Sequence, residues 1–412
     1  MLRRRLTSTA IIGLALMLLS CTRSHPEGKE ILVVSSRLWS AYEEQNFIAS
    51  EILPAFEEAN DCRVALSDFD DNALLQRAEH EETAKEAKTD VVVVYVARMK
   101  EWVDKGYLLD LSPHRELWEG RTFLGGLTKF TSFSGKTYFL PVGADVYLLC
   151  ANRRAVPYLP AGSDVQNLTW EQLAAWAQAA ARGAGKGKLA LTCAPQKMFI
   201  YQFGCLALAH GASFPDLAST KAINAWRILL GLKDSFCPAI RTYDTVIPPM
   251  KREEAWITIS HCARVGELYS WRPERFVIAP VPKGPAGRGS IAGFSGFAVR
   301  RNAPHKDLAL KFLEYMTRPD VQLKIAEGTG GFIPPVRESL SLLGDSPADQ
   351  VIRASIDVLD HGVLAFVPPC SSWGEVKLQF DNAFYQMVLR GGKINAVGLA
   401  RAQQQIDRLL AE

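Results

Sequence analysis

Nowhere do the 412 residues hold the roughly 20 consecutive apolar positions that a bilayer-spanning helix requires. The strongest apolar run, Ile11 to Leu19, is about half that length. No permanent transmembrane helix is therefore expected. Paired metal or redox motifs are missing as well. The eight cysteines are widely spaced with no CxxC, and His25, His80, His114, His210, His261, His305 and His361 form no HExxH or short-range pair. A zinc site, a redox site and a resident cofactor all lack support. Charge of one sign is not in excess: 47 Lys plus Arg stand against 44 Asp plus Glu. A nucleic-acid partner, whose affinity would come from basic side chains neutralising phosphates, is not expected. Two glycine-rich stretches fall short of catalytic signatures. Gly293-Phe-Ser-Gly-Phe297 lacks the last glycine of a nucleophile elbow, and Gly183 to Lys188 lacks the Ser or Thr that follows a P-loop lysine. An enzyme is not expected, although glycosidase carboxylate pairs need not be close in sequence and spacing says nothing about them.

The chain does carry a basic start at Arg3-Arg4-Arg5, the short apolar run, and a small residue before a cysteine in Leu18-Leu19-Ser20-Cys21. That order fits a removable signal peptide over residues 1–20. The last four residues resemble the bacterial lipobox, and this resemblance implies cleavage before a lipidated Cys21 and a short tether over 21–30. Acyl chains on Cys21 would hold an otherwise water-soluble protein on a membrane, in the periplasm or at the cell surface. Removing residues 1–20 takes away three of the 47 basic residues and leaves 44 against 44 acidic, a formally neutral mature chain.

About 390 mature residues, nearly half of them apolar, exceed what one compact core holds and point to two lobes. Ile31 to Val34 and Asp90 to Tyr95 read as buried strands, and Gln45 to Asn60 as an amphipathic helix between them. β-Branched runs alternating with helices imply the α/β class with a parallel sheet covered on both faces. Thr169-Trp-Glu-Gln172 has the spacing of a capping box opening a helix. Thr317 is expected to cap the helix that follows it. Of the cysteines beyond Cys21, an odd number remains, so one or two disulfides stay open among Cys62, Cys150, Cys193, Cys205, Cys237, Cys262 and Cys370.

Four stretches in order resemble the extracellular solute-binding proteins of family 1, the maltose-binding and glycerol-phosphate-binding components of ABC importers. They are DVVVVYVARMKEWVDKGYLLDL (90–111), GKTYFLPVGADVYLLCAN (135–152), TWEQL (169–173) and the block Gly293 to Pro335. The chain departs from the pattern at Cys150-Ala151-Asn152, where an aromatic is usual. The resemblance implies a type II periplasmic-binding-protein fold, two lobes joined by three hinge crossings. Lobe one would take 31–144 and 297–333, and lobe two 145–296 and 334–412. It also implies a monomer that delivers a carbohydrate to permease and ATPase subunits of an ABC importer. The alternatives are a glycerol-3-phosphate or glycerophosphodiester receptor of the same class, and a surface adhesin on the same fold.

A sugar cleft needs aromatic faces for the apolar side of the ring and polar groups for its hydroxyls. Trp39 and Tyr42 follow the first strand, and Tyr95 ends the second, at carboxyl ends where loops of parallel sheets bind ligands. Core packing is the competing role for each. Asp145 lies in the apolar first crossing, as a hydroxyl acceptor or a hinge cap. Gly293 and Ser295 offer backbone donors at the second crossing. The resemblance adds Tyr201 and Gln202, where relatives place stacking aromatics, and Trp373, similar to the tryptophan that covers sugars in maltose-binding relatives.

Overall fold

In the computed structural model, residues 28–411 are described, apart from 40, 41, 330, 331 and 371. The signal peptide and Cys21 lie outside the described residues. The first strand, β1 (Glu30–Ser36), pairs in parallel with β2 (Cys62–Asp68) and β3 (Val91–Tyr95). Between β1 and β2 the chain is helical from Tyr42 to Asn60, with one π-helical turn at Ile48–Ile52. The run Val91 to Val94 shows why β3 is apolar throughout. Val91 and Val93 enter one core with Trp39, Phe56 and Phe312, while Val92 and Val94 enter the other with Met99 and Trp102. Side chains alternate across a strand, and helices cover both faces here.

The sheet is not wholly parallel, which corrects the expectation from the apolar runs. The long strand β9 (Gly287–Val299) is antiparallel both to β3 and to β4 (Leu140–Asp145), so the order runs β2-β1-β3-β9, with β4 also on β9. A second sheet has the order β8 (Phe276–Pro280), β5 (Tyr147–Asn152), β7 (Ile257–His261), β6 (Leu189–Ala190). Its covering helices include α1 (Trp170–Ala184), α2 (Phe199–Ala209) and α3 (Cys262–Trp271). The capping box of α1 is formed as expected. Gln172 N–H donates to Thr169 Oγ1 at 3.2 Å, and Thr169 N–H donates to Gln172 Oε1 at 2.9 Å. Thr317 behaves differently: its hydroxyl donates back to the Leu313 carbonyl at 2.8 Å and closes the preceding helix. The next helix, α4 (Pro319–Thr329), starts two residues later.

The two sheets belong to two lobes joined at three crossings. The chain passes from β4 to β5 through Val146, and β9 runs from one lobe into the other. The third crossing lies alongside the first: Ala144 and Ile333 exchange N–H···O bonds of 3.0 and 2.7 Å. Ser295 and Gly296 pair with Tyr95 and Val94, so β9 joins the first sheet just after Gly293. Lobe two is completed by α5 (Pro347–His361), the short strand β10 (Val363–Phe366) beside β9, α6 (Trp373–Ala383) and α7 (Ala396–Ala411).

Among the described residues Cys62, Cys150, Cys193, Cys205, Cys237 and Cys370 are free thiols. Burial pushes the Cys205 and Cys262 thiols up to about 12, so they act as small apolar side chains at neutral pH. Arg300, only 1% exposed, is the one large cation in lobe one's core among the biggest fully buried side chains. Its guanidinium donates to Glu82 Oε1 at 2.9 Å and lies over the Trp102 and Tyr107 rings. Glu82→Ala would strand this buried charge, at a cost of about 3 kcal/mol. The expected result is a lower urea midpoint with an unchanged slope.

Candidate functional site

Asp145 closes β4 opposite Gly293 of β9. A Cβ at position 293 would stand 2.5 Å from Asp145 Oδ2, so glycine there makes room for the carboxylate. His261 closes β7, and its Nδ1 accepts the Ala263 N–H at 3.2 Å, capping α3. With Nδ1 accepting, the neutral ring carries its proton on Nε2, which lies 3.4 Å from Asp145 Oδ1. No Lys or Arg among the described residues pairs with Asp145, whose side chain is 26% exposed. The Asp145 carboxyl group thus has spare acceptor capacity at the inter-lobe junction.

Three tyrosines lie within reach of its charge. Tyr95 comes from lobe one, Tyr147 and Tyr201 from lobe two. Burial raises each phenol above its ordinary value, and the nearby Asp145 charge adds to the rise in all three. The Tyr147 ring is 6.0 Å from His261, edge-on, and 6.4 Å from Tyr201. Tyr147 is 3% exposed, and its Oη has no hydrogen-bond partner among the described residues. A buried hydroxyl left unsatisfied is costly, and Tyr147 lines a hollow of about 540 Å³ shared with Thr192, Met198, Ser260, His261 and Arg264. A second hollow of about 400 Å³ continues along α3 past Arg264 and Glu267 to Glu44, Glu327 and Phe332. Together they form a groove that reaches from lobe two to the lobe-one helices.

At the other end of this cluster Trp373 opens α6. Its Nε1 donates to Tyr201 Oη at 2.7 Å, and the two rings stack at 6.4 Å and 23°. Phe214 meets Trp373 edge-on at 6.0 Å. The Lys377 ammonium, one turn along α6, lies 5.5 Å over the Tyr201 ring. In lobe one, Arg37 lies 4.6 Å over the Tyr95 ring and 3.5 Å from Asp71.

The profile of a family described as bacterial extracellular solute-binding protein matches residues 51–353. The chain belongs to that family. Solved structures share the fold of this solute-binding protein. One is an extracellular solute-binding protein of family 1 from Alicyclobacillus acidocaldarius, at TM-score 0.75 and 16% identity over 94% of this chain and 100% of that one. The sugar-binding protein MalE of Xanthomonas citri gives 0.73 and 19% over 92% and 97%. The GacH receptor of Streptomyces glaucescens, whose structures include complexes with acarbose, gives 0.67 and 18% over 93% and 99%. No curated protein sequence matches the chain. Family and structural neighbours are binding proteins, and the fold is the type II two-lobe architecture.

The solute-binding protein brings together Tyr95, Asp145, Tyr201, Gly293 and Trp373 of the residues singled out from sequence. Ser295 stands beside Tyr95 across the β9–β3 ladder, but it is 1% exposed and its hydroxyl is buried without a partner among the described residues. Three further candidates have other surroundings. Trp39, at φ +64°, is 2% exposed and turned into the lobe-one core at 6.2 Å from Phe297, so its ring offers no open face. Tyr42 points out of the molecule, 77% exposed. Gln202 is consumed inside lobe two, where its amide accepts from Thr192 N–H at 2.8 Å and donates to the Ile259 carbonyl at 2.6 Å. Reading from sequence missed Tyr147, His261 and Lys377. Lys377 stands four residues after Trp373, a spacing that shares a helix face, and so had a local signal, whereas Tyr147 lies past the Val146 crossing in another strand than Asp145. His261 had none.

Proposed function

We propose that this chain is the substrate-binding lipoprotein of an ABC importer, which captures a carbohydrate between its lobes and passes it to permease and ATPase subunits. It works as a monomer held to a membrane by lipid on Cys21, at the periplasmic or outer cell surface, and it performs no chemistry on its ligand. The lobes in this reading are 31–144 with 297–333 and 145–296 with 334–412. The observation that carries it is Asp145: an acidic side chain with no Lys or Arg partner among the described residues, at the crossing between lobes, close enough to Tyr95, Tyr147 and Tyr201 to act on all three phenols, with Trp373 stacked on the far member, Tyr201. A carboxylate accepts two sugar hydroxyls through its two oxygens, and an indole covers the apolar face of a pyranose. The neighbours' sugars support the choice of ligand class: acarbose for GacH, maltose for a Thermotoga maritima MalE, and tagatose for a Thermotoga lettingae protein.

Isothermal titration of the delipidated protein against saccharides and glycerophosphodiesters tests the reading. Saturable binding of saccharides is expected, with the ligand recovered unchanged. Tight binding confined to glycerophosphodiesters would overturn the carbohydrate assignment, and a consumed ligand would overturn the receptor.

A further inference from the structure

The charge around Trp373 is not that of a site for a neutral sugar alone. Trp373, Lys377 and Asp381 recur at four-residue spacing on α6, and Tyr385 continues the stripe on the π-helical turn Phe384–Gly391. Lys377 is half-buried over Tyr201, and burial depresses its ammonium below the ordinary lysine value, with Lys197 pushing the same way and Asp381 opposing. Yet its ammonium makes no ion pair or hydrogen bond with any described residue. The nearest carboxylate on its own face, Asp381, is engaged elsewhere. It accepts the backbone N–H of Gln196 at 2.7 Å and so fastens the loop around 196 onto α6. Farther along, the Arg241 guanidinium stacks 3.8 Å over Tyr385. Lys197 and Arg241 thus join Lys377 and Asp381 at this end of the site. At the Asp145 end the hollow is bordered by Asp244, by Arg264 and by Glu267, which pairs with both Arg264 and Lys251.

This half-buried ammonium has three N–H donors and no acceptor among the described residues. In the sugar-receptor reading, on which this inference rests, that acceptor arrives with the ligand. We propose that the ligand is an acidic saccharide, whose neutral ring sits toward Asp145 and whose carboxylate or phosphate group is held by Lys377 at the Trp373 end. Lys197 and Arg241 supply further positive charge for a following acidic residue along α6.

The test is titration of the delipidated protein at low salt with maltose and maltotriose, with di- and trigalacturonate, and with maltose 6′-phosphate. At least one acidic set is expected to bind tenfold or more tightly than its neutral counterpart, and the advantage is expected to shrink with added salt. Preference for galacturonate identifies a carboxylate, and preference for the phosphate ester identifies a phosphate. Lys377→Gln should remove most of the acidic preference, and Lys377→Arg should retain it. Lys197→Gln, an exposed change that leaves the core untouched, should lower it in part even if Lys377 variants fold poorly. Neutral saccharides binding as tightly as acidic ones would overturn this inference and leave the sugar receptor standing. No saccharide of any charge binding would overturn both.

Discussion

Asp145→Ala lowers saccharide affinity at least a hundredfold and shifts the melting temperature little. The size follows from what the carboxylate has to offer. It has one long contact, 3.4 Å to His261, and no cation competing for its oxygens among the described residues, so both oxygens serve the ligand. Hydrogen bonds to a charged acceptor contribute about 1.5–3 kcal/mol each, and two of them amount to roughly 3 kcal/mol or more, a factor above 100 in Kd. The fold loses little, because the side chain is a quarter exposed and fills no core. Titration calorimetry beside a thermal melt checks both parts. Unchanged affinity would remove Asp145 from the site, and a collapse in melting temperature would make it a hinge cap.

Trp373→Ala is the second large effect. Its indole is the open aromatic of the cluster, held by the Nε1 donation to Tyr201 and by Phe214 at its edge. Removing it takes away the stacking face, releases the Tyr201 hydroxyl and frees Lys377 to move. A loss of about 2 kcal/mol in binding, roughly thirtyfold, is expected for a tryptophan anchor in a desolvated pocket. Trp373→Phe should fall between wild type and alanine, since it keeps a ring but cannot donate to Tyr201. Equal affinity for all three would show that the tryptophan only packs lobe two.

Much of the architecture was legible because it is written in local patterns. The apolar run at 91–95, the capping box at Thr169 and Gln172, and the turn between β4 and β5 each declare themselves within a few residues. The antiparallel insertion of β9 beside β3 does not, since 200 residues of chain separate the partners and pairing direction leaves no periodic trace. The site divides in the same way. Asp145 and Tyr95 were found because strand ends are visible in sequence. Trp39 misled because position after a strand says nothing about direction: a left-handed backbone at φ +64° turns its ring into the core. Gln202 misled because a polar residue on an apolar helix was needed to join β6 and β7, with both amide groups satisfied by backbone. The Tyr201–Trp373 hydrogen bond spans 172 positions, and only the folded chain places those two side chains together.

Small-angle X-ray scattering of the delipidated protein, with and without a saturating saccharide, bears most directly on a ligand gripped between two bodies that move about the crossings at Val146, Gly293 and Ile333. The radius of gyration is expected to fall on saturation, and Asp145→Ala is expected to abolish the fall at the same saccharide concentration. A saccharide that saturates the wild-type protein while the scattering curve stays unchanged would contradict this expectation.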